Sequence, residues 1–583
     1  MAALLLTYDL VMAAGAEGSS GTLAAFSRST TAFLQARDFL LTNRSDYGVA
    51  YEGFQWPELE QFNWAFDYFD AIAAGNTRPA LIVTSQNSTD QTVSFADMRE
   101  RSNQVANFFV RLGISRGDRI LVMLGNEIAL WETMLAALKI GAVLVPTSTL
   151  VGTDEIKDRI ERGRVRHVIS SLDGCNKFEL HTWKGTLLSI GGAAKGWTNF
   201  DESYSEPKHF APSYSTNGSD PLLLYFTSGT TARPKLVLHS QHSYPVGHLS
   251  TMYWIGIQPG DLHWNISSPG WAKHAWSSFF APWNAGACIL ASQDARFRAG
   301  SALDILVRTG VTTLCAPPTV WRMLIKADLR KYKVKLREAV SAGEPLNPEV
   351  VRQVEDCWGL TIRDGYGQTE TTALVGNTPG QKLKPGSMGR PLPGYRIRAL
   401  DISGEISNEG QLCVDRRNVP LGLMLGYESQ ERGDVESGDH HLTGDIGSID
   451  DEGYVFFVGR ADDVFKSSDY RISPFELESI VIEHPAVLES AVIPSPDPVR
   501  FVVPKAFVSL APGYPPDENT ARDIFSFLRQ KLARYQRIRR LEFAELPKTS
   551  SGKIRRSELK QAEQERSPEM AHRPFEYFDQ DFE

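Results

Sequence analysis

Tyr225-Phe226-Thr227-Ser228-Gly229-Thr230-Thr231-Ala232-Arg233-Pro234-Lys235 follows directly on the apolar run Leu222-Leu223-Leu224. A buried strand that ends in successive hydroxyl residues, a glycine and then a lysine offers backbone N–H groups, hydroxyl donors and a cation to one compact anion. That is the composition of a phosphate cradle. The spacing argues against the ordinary P-loop, because no second glycine stands directly before a Lys-Ser/Thr pair. A hydroxyl-rich turn in solvent has the same composition, so the reading depends on what else the chain carries.

Three further stretches supply that context. They are Asp364-Gly365-Tyr366-Gly367-Gln368-Thr369-Glu370, then Thr443-Gly444-Asp445 with Gly459-Arg460-Ala461-Asp462-Asp463, then Pro547-Lys548-Thr549-Ser550-Ser551-Gly552-Lys553. In this order, and with the cradle, they resemble the adenylate-forming superfamily of acyl-CoA synthetases, adenylation domains and luciferases. Within it, Gly365-Tyr366-Gly367-Gln368-Thr369-Glu370 and Ser267-Ser268-Pro269-Gly270-Trp271 look most like the acetyl- and medium-chain acyl-CoA synthetase branch. The resemblance covers the chain from about residue 50 to its end.

Composition agrees with a large enzyme. A chain of 583 residues exceeds what one hydrophobic core serves, so two or more domains are expected. The 42% hydrophobic content is enough to fill such cores. A formal net charge of −9 argues against general nucleic-acid binding, which needs a basic footprint. Cys175, Cys288, Cys315, Cys357 and Cys413 are dispersed without a C-x-x-C pair, which indicates neither a zinc site nor a disulfide framework. A reducing compartment follows, the cytoplasm first and the mitochondrial matrix as the alternative. No apolar run reaches the roughly 18–20 residues that span a bilayer. Met1 to Ala16 is apolar but lacks a basic n-region and is interrupted by Asp9, unlike a secretory signal. Residues 1–30 read as a flexible tail.

Periodicity predicts an α/β architecture. Arg119 to Met123 reads as a strand, Asn126 as an N-cap, Glu127 to Ile140 as a helix stopped by Gly141, and Ala142 to Pro146 as a second strand. This βαβ unit implies a parallel sheet with helical cover. Val165 to Ser170, Val311 to Leu314 and Leu336 to Ser341 read as further strands, and Asn347-Pro348 as a helix start. No regular element is assigned ahead of Gly113. After Gly386, short alternating runs such as Gln411-Leu412-Cys413-Val414 suggest a small antiparallel barrel or meander. Ser473-Pro474-Phe475-Glu476 is a capping box, and Ile524, Leu528 and Leu532 mark a second amphipathic helix, so a compact α+β unit closes the chain. The expected plan is layered α/β sheets plus a small β-barrel over residues 31–461, then a smaller mobile α+β domain over 462–583.

The resemblance also implies roles. Thr227, Ser228, Gly229, Thr230, Thr231 and Lys235 would bind the β- and γ-phosphates of ATP, although Ala232 and Leu236 stand where many members have glycine. Glu370 would hold Mg²⁺ and Thr369 would donate to the α-phosphate. Gly343, Glu344 and Pro345, with Asp364, Gly365, Tyr366, Gly367 and Gln368, would line the adenine. Asp445 would accept from the ribose hydroxyls, supported by Arg460, as a carboxylate does for a cis-diol in dinucleotide folds. Lys553, otherwise a solvated surface lysine, would neutralise charge developing at the α-phosphate and carboxylate during adenylation.

For the second half-reaction, attack of a thiol on the acyl-adenylate, the family rotates its C-terminal domain about the residue at Asp462 and brings in Lys466 to Arg471, including Ser468, Asp469 and Arg471. Acyl-CoA synthetases usually have glycine where this chain has Asp469. Arg534, Arg537, Arg539 and Arg540 read either as contacts to CoA phosphates or as a solvated helix end. Trp271, Ala272, Lys273, Ala342 and Gly367 map to the acyl pocket. His274 is ambiguous, and its aromatic-rich surroundings, Trp276, Phe279 and Phe280, favour packing. Acetyl-specific relatives carry tryptophan at the position of Gly367, so glycine is expected to open the floor to a medium-chain or aryl acid. The expected activity is an AMP-forming acyl-CoA synthetase using ATP, Mg²⁺ and coenzyme A. A free-standing enzyme loading a carrier protein, and a non-catalytic nucleotide sensor prompted by Ala232 and Asp469, are the alternatives.

Overall fold

Two sheets dominate the computed structural model, which describes residues 27–582 except 86–87, 179–182, 228–233, 295, 345, 418–419, 429–437, 468–469, 499, 549–553 and 566–572. The nine-stranded sheet has six parallel central strands: Ile362–Gly367, Glu338–Ala342, Thr313–Ala316, Leu262–Asn265, Cys288–Ser292 and Pro79–Ser85. Antiparallel strands close both edges, Ala373–Gly376 and Arg390–Pro391 on one side and Ser88–Ser94 on the other. The eight-stranded sheet contains the predicted βαβ unit, with Arg119–Met123 parallel to Val143–Pro146 and to His167–Ser171. Central strands buried on both faces explain the near-continuous apolar runs of these segments.

The βαβ prediction holds except at its cap. The helix runs Ile128–Lys139, and Gly141 takes φ +65° as the stop the sequence indicated. Glu127 occupies the N-cap without a side-chain bond. Asn126 instead bridges two other segments: its Nδ2 donates to the Ser292 carbonyl (2.9 Å) and its Oδ1 meets His274 Nε2 (3.0 Å). A tertiary partner has displaced the local one. Asn347 caps as expected, accepting from Glu349 N–H at 2.7 Å.

The sequence reading assigned no regular element ahead of Gly113, yet the described residues before it carry several. A helix Arg28–Thr42 begins three residues inside the stretch read as a tail, with Ser27 accepting from Thr30 N–H. Asn63 caps a π-helical turn Trp64–Phe69, and Ser94 caps the helix Phe95–Arg111. Trp64, Tyr68 and Phe69 enter the main core beside Phe280 and Trp283.

Residues Ile397–Leu400, Ile406–Ser407, Glu409–Asp415, His440–Ile449 and Val455–Arg460 form a five-stranded antiparallel sheet, where alternating runs had suggested one. Beyond it a hairpin, Phe465–Ser467 with Tyr470–Ile472, leads to the last unit. There Ser473 Oγ accepts from Glu476 N–H (3.1 Å) and opens the helix Pro474–Val481. That helix and Glu518–Lys531 pack Leu477, Val481, Ile524 and Leu528 onto a four-stranded sheet, Val487–Asp497, Phe501–Leu510, Arg540–Phe543 and Glu576–Phe578.

Lys505 lies inside that sheet, fully buried. Its ammonium meets Glu542 (2.7 Å), Glu563 (2.9 Å) and Glu576 (2.7 Å). Removing one partner of such a cluster leaves uncompensated buried charge and costs about 3–5 kcal/mol. Lys505→Met is therefore expected to lower hydrogen-exchange protection of the strand Phe501–Leu510 by about that amount, with the strand Glu338–Ala342 unchanged.

Candidate active site

The cleft is built where two parallel strands end. Glu338–Ala342 and Ile362–Gly367 pair in register, Ser341 opposite Asp364 and Ala342 opposite Gly365, and both point their carboxyl ends at the same space. This is where open α/β sheets receive ligands. Gly343 continues from Ala342 at φ +108° with no atom near its Cα face, and Trp254 fills the place of a side chain at Gly365.

Directly against this strand end lies Asp445, on the long strand His440–Ile449 and only 4% exposed. Its Oδ2 accepts from the Tyr366 hydroxyl (2.5 Å) and from Gln368 Nε2 (2.7 Å), and its Oδ1 from Arg460 Nη1 (3.1 Å). Gln368 Nε2 also donates to the Thr443 carbonyl at 2.7 Å. Burial pushes the Asp445 carboxyl upward, and Arg460, Tyr366 and Gln368 oppose that shift. The Tyr366 hydroxyl is held well above its usual range by burial and by the neighbouring carboxylate. A fixed acceptor facing strand ends suits a diol.

The Thr369-Glu370 turn is held from behind. His239 Nδ1 lies 2.9 Å from Ser243 Oγ and its Nε2 2.7 Å from the Thr369 carbonyl, an acceptor that requires Nε2 to carry the proton. Burial pushes this imidazole down to about 3, so it stays neutral. Met424 N–H donates to the Glu370 carbonyl (2.9 Å), and Thr371 Oγ1 accepts from Gln368 N–H (3.0 Å). The Glu370 carboxylate accepts from Tyr427 OH at 2.9 Å, and the Lys235 ammonium sits 4.6 Å above the Tyr427 ring. One aromatic ring therefore spans the end of the phosphate-loop stretch and the acidic turn. Among the described residues no three His, Cys, Asp or Glu side chains gather as a metal cage. A lone, half-buried carboxylate fits Mg²⁺, which keeps its remaining positions for water and phosphate oxygens.

Lys273 donates to the Ala342 carbonyl (2.8 Å). The nearby Asp364 carboxyl is pushed up to about 7 by burial, against the backbone N–H groups of Gly365 and Leu346 and the charge of Lys273. Trp271 is the N-cap of the helix that carries Ala272 and Lys273. His274 packs: it is 3% exposed, bonded to Asn126 and pushed down to about 3 by burial.

Two expectations change. A Cβ on Gly367 would lie 2.2 Å from the Thr372 carbonyl oxygen and 2.7 Å from Trp276 Cη2, so glycine there does not open a floor; the indole has taken the space. Arg539 and Arg540 serve the interior of the last sheet, Arg539 pairing with Asp579 (2.9 Å) and Arg540 donating to Ser495 Oγ (2.7 Å). Neither is free for a CoA phosphate in this arrangement. Of the remaining expected site residues, Ser228, Gly229, Thr230, Thr231, Pro345, Ser468, Asp469 and Lys553 lie outside the described residues, as do Ala232 and the side chain of Arg471. Thr227 ends the strand Pro221–Thr227, and Arg460 also meets Asp462 at 3.5 Å. His239, Ser243 and Tyr427 were missed by sequence reasoning. His239 and Tyr427 reach Thr369 and Glu370 across 130 and 57 positions, which no spacing rule joins, and Ser243 matters only through His239.

The AMP-binding enzyme family model matches residues 69–428, and the AMP-binding enzyme C-terminal domain matches 476–553. A 4-hydroxybutyrate–CoA ligase of Metallosphaera sedula is 42% identical over 525 residues, covering 87% of this chain and 92% of that protein. A mitochondrial acyl-coenzyme A synthetase, ACSM3 of Rattus norvegicus, is 37% identical over 546 residues, covering 89% and 94%. The crystal structure of the anthranilate CoA ligase AuaEII with anthranoyl-AMP superposes with a TM-score of 0.79 at 27% identity, covering 87% of this chain and 98% of that one.

Neutral burial of His239 sets a sign for pH dependence. An unfolded imidazole binds a proton below about 6.5, whereas the folded one holds out to about 3. The stability that depends on its neutrality is complete above pH 6.5 and is lost as pH falls towards 3. His239→Asn should be less stable than the wild type at pH 8. The gap should narrow by about 1.4 kcal/mol per pH unit below pH 6.5 in urea titrations.

Proposed function

The chain belongs to the AMP-binding enzyme family, and on that premise we propose that the cleft at Ala342, Gly367 and Asp445 is where it activates a carboxylic acid. It is an AMP-forming carboxylate–CoA ligase, an enzyme that uses ATP and coenzyme A. The carboxylate attacks the α-phosphate of ATP to give acyl-AMP and pyrophosphate. The CoA thiol then displaces AMP to give the thioester. The observation that carries the assignment of roles is the Asp445 carboxylate, fixed by Tyr366, Gln368 and Arg460 beside the same strand end that presents Thr369 and Glu370.

Each residue has a share in this reading. Asp445 accepts from the ribose hydroxyls, with Arg460 keeping it ionised. Gly343, Glu344 and Pro345 with Asp364 to Gln368 enclose the adenine, where small residues let a flat ring approach the backbone. Lys235, with Thr227 and Ser228 to Thr231, binds the phosphates that leave as pyrophosphate. Glu370 holds Mg²⁺, which when bound neutralises phosphate oxygens, and the Thr369 hydroxyl donates to the α-phosphate. Lys553 adds a positive charge where negative charge develops, and such fixed charges act strongly once water is excluded. Residues 31–461 make the adenylating body and 462–583 the part that turns about Asp462, exchanging Lys553 for Ser468, Asp469 and Arg471 during thioester formation.

The acid is larger than acetate, a medium-chain or aryl carboxylate in keeping with relatives described as acting on 4-hydroxybutyrate and anthranilate. All five cysteines are free thiols, in keeping with a reducing compartment, cytoplasmic or, as in the mitochondrial relative, the matrix.

Pyrophosphate release and thioester mass across straight-chain, branched and aryl acids, each with and without CoA, test the whole reading. Adenylate without thioester would instead point to a carrier-protein acceptor. Lys553→Ala should slow adenylation by about a hundredfold or more while sparing thioester formation from supplied acyl-AMP; equal loss of both steps would contradict the domain exchange. Asp445→Ala should raise the KM for ATP about 10- to 100-fold, the worth of charged hydrogen bonds.

A further inference from the structure

The helix Arg556–Gln564 starts three residues after Lys553. Arg556 and Lys560, four apart, share one face of it, and both reach back to the short turn that joins the antiparallel sheet to the last unit. Lys560 Nζ donates to the Asp462 carbonyl (2.9 Å) and to Asp463 Oδ1 (2.6 Å), while Arg556 Nη1 lies 3.9 Å from Asp463 Oδ2. The Lys560 and Asp463 side chains are only 19% and 15% exposed, so the pair is more than a solvated surface bridge.

The helix itself is firmly seated. Leu559 packs with Ala491, Ile493 and Phe507, Glu563 meets the buried Lys505 at 2.9 Å, and Arg556 pairs with Glu478 at 2.5 Å. Just ahead of it Ile554 bridges to Lys548, and Arg555 N–H donates to the Pro547 carbonyl (2.8 Å). The chain is thus pinned on both sides of residues 549–553.

From its other side the turn is held by the antiparallel sheet. The Arg460 carbonyl accepts from the N–H groups of Asp463 (3.1 Å) and Val464 (3.0 Å), and Arg460 Nε stands 3.5 Å from Asp462 Oδ1. The backbone torsions of residue 462 lie between these two sets of contacts. A peptide group is rigid, so the Asp462 carbonyl moves with everything that follows it when those torsions change. Lys560 therefore grips the first group on the far side of the pivot, and the backbone bonds to Arg460 are the ones that must part.

Resting on the reading in which the last unit turns about Asp462 and carries Lys553, we propose that Lys560 is a positioning residue. Its ammonium clamps the Asp462–Asp463 peptide to the helix behind Lys553, so that the turn is confined to residue 462 and passes rigidly to the end of the helix nearest Lys553. Without the clamp the torsions of Asp463 add slack between pivot and helix. Both half-reactions then lose rate, because each needs the last unit placed accurately.

The test compares wild type, Lys560→Met and Lys560→Arg. ATP–pyrophosphate exchange reads adenylation, and single turnovers of supplied acyl-AMP with CoA read thioester formation. In Lys560→Met both rate constants should fall about tenfold, the worth of hydrogen bonds from a charged group, with the KM for ATP unchanged. Lys560→Arg, which can donate to the same oxygens, should recover most of the loss. Amide hydrogen exchange at Asp463 and Val464 should quicken in Lys560→Met while the strand Phe501–Leu510 stays protected. If that strand loosens, the milder Lys560→Gln carries the same test. Unchanged rates in a folded variant overturn the proposal, as does loss of one half-reaction alone or unmoved exchange at 463 and 464. The exchange readout needs no catalysis, which separates the two readings. Quickened exchange in a protein that makes no thioester from any acid would refute the ligase and leave the clamp standing, and normal turnover with unmoved exchange would do the reverse.

Discussion

A buried carboxylate that must be satisfied ties the molecule together at its cleft. Asp445 belongs to the antiparallel sheet, while Tyr366 and Gln368 belong to the end of the large parallel sheet. Leaving that charge unpaired in a low-dielectric setting would cost several kcal/mol, so the two sheets are obliged to meet in one arrangement. Arg460, directly opposite Asp445 in the antiparallel register, completes the set from the same sheet. The bonds that keep the acceptor ionised also aim it across the strand ends. In the function proposed above, stability and nucleotide recognition share this contact.

Around that contact, residues from other segments hold the Thr369-Glu370 turn in place. His239 grips the Thr369 carbonyl from the strand that follows the phosphate-loop stretch. Tyr427 bonds Glu370 while its ring lies under Lys235. Both devices couple the acidic turn to the strand that begins at Lys235, so charges of opposite sign are held in place beside each other. Preorganisation of this kind spares the reorganisation that water would otherwise have to make.

What the sequence made legible follows the range of the interactions. Hydroxyl-rich and glycine-rich motifs, the helix start at Asn347, the stop at Gly141 and the capping box at Ser473 are local, and all were visible as strings. Asn126 was misread because a local rule put it at a helix start, whereas Ser292 and His274 hold it through space. The first hundred residues went unread because their helices and π-turn bury aromatic side chains on several sides, which blurs the amphipathic period that signals a surface helix. Gly367 was read correctly as small and incorrectly as empty. A missing side chain on one strand says nothing of the neighbour that fills the gap, and Trp276 comes from a helix far earlier in the chain.

The buried lysine of the last sheet bears on how the chain comes off the ribosome. Lys505 shares its charge with Glu576, a partner 71 positions downstream, and with Glu563, 58 positions downstream. During synthesis its strand emerges long before these carboxylates exist. Loop closure over such separations must precede any gain from pairing. The pairing of Lys505 therefore waits until residues 563 to 576 have been made. A charge cluster closed over such a span makes the last sheet depend on the far end of its own unit.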